Sequence, residues 1–206
     1  MRRPTLPVIF FGLLPLVAIG RQLLIHVQLG LNLTHFFSYY TNLSNLLAGV
    51  VLLWSALADP KGTRASALAV WRLMAVINMT IVGVVFAALL RNLPLGALLP
   101  WVNFVLHYLM PCVMVFDWLL WPPRQRLKMG TLAACLPFPL LYLGYTLLRG
   151  RAFGWYPYPF LNPAKTGGYG GVTAYAFGIT ALFLIVGFAL LAAANRRSSG
   201  LSESGI

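Results

Sequence analysis

Six apolar runs, each about as long as a helix that crosses a bilayer, recur along the chain at 6–27, 36–57, 67–90, 95–121, 130–148 and 172–194. This pattern predicts an all-α fold: a polytopic bundle of six transmembrane helices forming a single membrane domain over 1–206. Arg2 and Arg3 precede the first run in the manner of a signal peptide. That run is too long for a signal segment, and no small-residue cleavage site closes it before Arg21, so it is expected to be a retained first helix. Pro4, Pro7 and Pro15 suggest a first turn and a kink. The tail, 195–206, is expected to be disordered.

Composition narrows the class further. The 206 residues are 60% hydrophobic and only 9% charged, with mean hydropathy +0.81. That is far from the roughly 25% charge of a soluble domain, and it equally excludes intrinsic disorder. The net charge of +12 does not indicate nucleic-acid binding, because the basic residues punctuate apolar runs and form no clustered face. They instead divide by side. Arg2, Arg3, Lys61, Arg64, Arg72, Arg124, Arg126, Lys128, Arg196 and Arg197 make 10 on one side, against 4 on the other (Arg91, Arg149, Arg151, Lys165). The positive-inside rule then expects both termini in the cytoplasm. Cys112 and Cys135 lie within apolar runs and read as small core residues.

Polar groups inside a bilayer are costly and commonly face the bundle interior, so those few are the candidates for chemistry. The second run opens with Ser38, Tyr39, Tyr40, Thr41, Asn42, Ser44 and Asn45. Thr41 and Asn45 share one helical face. The fourth run carries Asn103, His107 and Pro111 at one-turn spacing, and Pro111 deprives the His107 carbonyl of its helical donor, as in helices that line cavities. Measured along each helix, Thr41 lies roughly 8 Å deep and His107 roughly 10 Å deep if entry is at Pro100, or nearer 18 Å if entry is at Leu95. A meeting of the two depends on that boundary. Arg21 reads either as a snorkelling cation or as an interior one that holds a carboxylate or an oxyanion. The polar residues as a group are also compatible with interhelical glue.

Several chemistries are excluded or weakened. Asp117 lies roughly 15 Å along the helix from His107 and cannot orient its ring as a triad acid does. Acyl transfer would therefore need a hydroxyl–His dyad. No HExxH, GxSxG or P-loop sequence occurs. His26 and His35 are too superficial to join His107 in a metal or haem site, so no metal and no cofactor is expected. The long connection 149–171, rich in Trp, Tyr, Phe and Pro, reads either as an interfacial anchor or as a lid over an outward-facing pocket.

Three segments carry a resemblance: FFSYYTNLSNLL, LHYLMPCVMVFDWLLWPP and YPYPFLNPAKTGGYGGV. They resemble a bacterial family of small six-span membrane proteins, distantly related to the androgen-induced-gene proteins and the androgen-dependent regulator of tissue-factor-pathway inhibitor. The animal members are threonine hydrolases of fatty acid esters of hydroxy fatty acids. The resemblance implies Thr41 as nucleophile and His107 as base. Beside them, the residues themselves offer Asn42, Asn45, Asn103 and Arg21 as substrate-binding or oxyanion groups. The TNLSN stretch and the elaborate fifth loop belong to the bacterial branch, and they leave the substrate open. The expectation is an inner-membrane hydrolase of lipid or fatty-acyl esters whose partners are membrane lipids. The alternative is a non-enzymatic protein of that membrane that binds or transports a small molecule or lipid.

Overall fold

The computed structural model describes residues 3–57, 65–94 and 96–203. Arg2, Lys61, Arg64 and the entry residue Leu95 lie outside those residues, as do 204–206 of the expected disordered tail. Among the described residues the fold is all-helical, and six helices are long and apolar enough to cross a membrane. These are α1 (Thr5–Gln28), α3 (Tyr40–Leu57), α4 (Ala65–Leu90), α5 (Pro100–Leu120), α6 (Gly130–Phe153) and α7 (Tyr169–Glu203). A short α2 (Leu33–Phe37) precedes α3.

The centre of the bundle is α4. Residues Leu73 to Met79 are all buried, so this helix is covered on every face and needs no polar side. Around it, packing relies on small residues, because apolar contact with lipid is no worse than contact between helices. A side chain at Gly49 would come within 2.8 Å of the Gly12 carbonyl, so α1 and α3 touch backbone to backbone. Gly83 on α4 seats Pro111 of α5, whose Cβ would lie 3.0 Å from a Cβ at that position. By contrast α6 is peripheral: 17% of its span is buried, against 56% for α4.

Arg3 and Arg197 lie at one end of the bundle. Arg3 and Arg72 both pair with Asp117, at 2.8 Å and 2.9 Å, and Arg3 also bonds Ser55. Arg197 reaches the Leu119 carbonyl at the same end. Asp117 thus ties α1 and α4 to α5, and Arg3 carries the tie on to α3. Its two arginines account for a carboxylate that the sequence could only exclude from chemistry.

Several boundaries differ from the expected ones. The second run is broken at Ser38–Tyr39, because Asn32 caps α2 through the Thr34 and His35 amides and Asn42 closes its far end on the Phe36 carbonyl. The fourth helix begins at Pro100, with proline in its first turn. The fifth runs on to Phe153 and ends at Gly154, whose φ of +67° is the left-handed cap that glycine favours. Asn195 anchors α7 by bonding both the N–H and the C=O of Leu127.

Candidate functional site

At the end opposite Arg3 and Arg197, two helices widen into π-turns. In α5 the turn spans Val105–Leu109, and the Met110 amide bonds back to the Val105 carbonyl. Pro111 explains the position: with no N–H there, the chain adjusts its hydrogen bonding one turn before. In α4 the turn spans Phe86–Leu90, closed by Arg91 N–H on the Phe86 carbonyl at 2.8 Å. Such turns often mark functional sites. These two face each other, and the Phe86 ring stacks on the His107 imidazole with centroids 4.0 Å apart.

His107 is buried. Its Nδ1 lies 3.3 Å from the Asn103 carbonyl and its Nε2 lies 3.3 Å from the Thr41 hydroxyl. A carbonyl only accepts, so Nδ1 carries the proton and the Nε2 lone pair faces Thr41. This is the arrangement of a base whose tautomer is fixed by a second group, here a backbone carbonyl where a triad has a carboxylate. The Thr41–His107 contact is at the long end of catalytic reach, as is common before substrate binds.

Thr41 stands in the first turn of α3, where the backbone amide has no helical acceptor. Its N–H donates instead to the Tyr158 hydroxyl at 3.3 Å, and the same phenol lies 3.4 Å from Thr41 Oγ1. Tyr158 comes from the connection between α6 and α7. Tyr158, Phe160 and Leu161 are buried, so this connection packs into the bundle rather than lying as a belt at its rim. Burial pushes the Tyr158 phenol up to about 12, and it holds its proton at any physiological pH.

Thr41 and Tyr158 both line a cavity of about 100 Å³ between α3, α4, α6, α7 and the connection, with Tyr40, Tyr142 and Thr180 as its other polar lining residues. Its other walls are largely apolar and include Val82, Val85, Pro139, Leu143 and Ile179. His107 stands behind Thr41, outside the cavity wall.

The remaining expected site residues divide. Asn45 is buried beside the pair and its amide donates to the Thr41 and Leu106 carbonyls, joining α3 to α5. Asn103 contributes its backbone carbonyl, and its side-chain Oδ1 is buried without a partner. Asn42 is committed to the Phe36 carbonyl and braces the break between α2 and α3. Arg21 is exposed and is not brought to the site. One residue on, a rotation of about 100°, Gln22 turns inward and bonds Ala97 O and Leu99 N, tying down the approach to α5. No group of three or more metal-ligating side chains occurs among the described residues. The sequence grouped Tyr158 with the loop aromatics and gave it no chemical role; its flanking Pro157 and Pro159 were the signal of a held side chain. Compared with known proteins, the chain matches no family model, no curated protein and no solved structure.

Proposed function

We propose that this protein is a hydrolase of lipid or fatty-acyl esters, residing in a bacterial inner membrane with both termini in the cytoplasm. The observation that carries the reading is the Thr41 hydroxyl facing the unprotonated nitrogen of a tautomer-fixed His107 at the wall of an apolar cavity. The resemblance of the segments around Thr41 and His107 to a bacterial family distantly related to threonine hydrolases supports it, and the 10-to-4 division of basic residues supports the orientation.

The chemistry closes without a cofactor. As Thr41 Oγ1 bonds to the ester carbonyl carbon, its proton passes to His107 Nε2 and the carbonyl π pair moves onto oxygen. Collapse breaks the bond to the leaving alkoxide, which takes the proton from His107 and departs as alcohol. Water then adds to the acyl-threonine, giving a proton to Nε2. The second collapse returns that proton to Thr41 and releases the acid. The apolar walls suit the hydrocarbon part of an acyl ester, and Thr41 is on the lining where its carbonyl would be attacked.

The test is turnover of a p-nitrophenyl acyl ester by detergent-purified protein. Thr41→Ala and His107→Ala are each expected to lower the rate at least about a thousand-fold. Equal turnover by wild type and both variants would remove the proposal. Retained binding of a spin-labelled fatty acid by protein that never turns over would favour the non-enzymatic alternative.

A further inference from the structure

Proceeding from the Thr41–His107 reading, we infer that Tyr158 supplies the hydrogen bond that stabilises the oxyanion, with the Thr41 backbone amide supporting its oxygen from behind. The Thr41 N–H donates to the phenol oxygen at 3.3 Å, so that oxygen is the acceptor in this bond and its own proton points away from the amide. Thr41 Oγ1 lies 3.4 Å away on the same side, and both residues border the cavity. A carbonyl carbon attacked by Oγ1 necessarily places its oxygen within a bond or two of that atom, in the field of the phenol proton. Accepting the amide bond makes the phenol a stronger donor. As the π pair moves onto the substrate oxygen, the phenol bond strengthens and no proton changes hands. That preference for the charged state over the ground state is what accelerates a reaction.

Several other donors near the pair are already used. The Asn45 amide is committed to two carbonyls, Asn42 to the Phe36 carbonyl, and Tyr40 to the Asn78 side chain. Arg21 is exposed. The phenol hydrogen of Tyr158, in contrast, is directed at Thr41 Oγ1, whose own hydrogen faces His107, so it already lies beside the reacting atom, and its ring is held still. Its ring stacks on Phe160 at 5.2 Å and meets the edge of Tyr39 at 5.9 Å, and Pro157 and Pro159 restrict its backbone. Two residues earlier, the Tyr156 ring rests on Gly150, where a Cβ would come within 2.0 Å of it. A donor fixed in advance avoids reorganisation during the reaction.

The experiment measures kcat and KM for the p-nitrophenyl ester in wild type, Tyr158→Phe, Gly150→Ala, Thr41→Ala and His107→Ala. Removing one oxyanion donor costs about 100- to 1000-fold in kcat. Tyr158→Phe, which keeps the ring, is expected to lose that in kcat with KM and thermal midpoint within twofold and about 2 °C of wild type. Gly150→Ala, which displaces Tyr156 and with it the loop, is expected to lower kcat in the same direction through protein that still folds. A Tyr158→Phe kcat equal to or above wild type, with Thr41→Ala and His107→Ala inactive, would overturn the Tyr158 role and leave the dyad standing. A loss in Tyr158→Phe that appears only as raised KM would also overturn it, since that is the mark of packing rather than of charge stabilisation. Turnover independent of Thr41 would overturn both readings.

Discussion

A threonine hydroxyl is a weak nucleophile until a base takes its proton, and a buried histidine is an effective base only if its tautomer is fixed. Here the His107 Nε2 faces the Thr41 hydroxyl, and the Asn103 carbonyl, one turn before His107, fixes the tautomer, while Asn45, one turn after Thr41, donates to the Thr41 carbonyl. Asn45 also donates to the Leu106 carbonyl and so sets the distance between the two reacting helices. Asn45→Leu leaves both carbonyls without that donor in a dry interior, and is expected to cost about 2 kcal/mol. A lower thermal midpoint together with reduced turnover checks this; an unchanged midpoint would mean that the amide is dispensable. Thr41 and His107 were legible in the sequence because few polar residues lie within the apolar runs, so each stands out against its surroundings. Of the two readings of Arg21, its exposure agrees with the snorkelling cation. Its charge drew attention, whereas helical phase puts the neighbouring Gln22 inside.

At the scale of elements, the decisive parts are the short and irregular ones. The break at Ser38–Tyr39 starts α3 just before Thr41 and so frees the Thr41 amide, and the paired π-turns bring Phe86 onto His107. Neither is written in periodicity, since a hydropathy window averages over a whole turn. The Tyr158–Thr41 contact spans 117 residues of sequence, and no local pattern encodes a meeting that distant. A seam outside the spans has a pH dependence of definite sign. His35 of α2 stacks on Trp155 of the connection at 3.9 Å, and the Arg149 guanidinium lies over the same indole, 4.9 Å from the ring centroid. Partial burial, then Arg149, then His26 lower the His35 pKa from 6.5. The folded seam therefore prefers neutral His35: its stability is complete above pH 6.5 and declines as pH falls through the lowered value. Hydrogen exchange in the 154–161 segment, corrected for intrinsic rates, is expected to quicken over that range in wild type and not in His35→Phe. Equal pH response in the two would assign the effect elsewhere.

For the molecule as a whole, the six-helix count followed directly from the apolar runs, since each is long enough to span and the bilayer permits little else but helices. What holds the helices together was less visible. Asp117 binds Arg3 and Arg72 across more than 40 residues of sequence in each case, and its removal leaves two arginines facing each other. Asp117→Ala is expected to destabilise the bundle by about 3 kcal/mol, more than either arginine-to-methionine variant alone. Thermal unfolding of the three variants decides this, and a null effect of Asp117→Ala would reduce the cluster to a surface ornament. Orientation is tested by reporters fused after Ala194, which are expected to be active in the cytoplasm; periplasmic activity would place the Thr41 end on the cytoplasmic side.

The central claim is that Thr41, activated by His107, is a nucleophile. Reaction with a long-chain fluorophosphonate followed by peptide mass spectrometry tests it most directly. The account expects one phosphonyl adduct on the peptide that contains Thr41, its formation abolished in Thr41→Ala and slowed at least about a hundred-fold in His107→Ala. Folded protein that carries no adduct at Thr41, or that labels equally without His107, would contradict it.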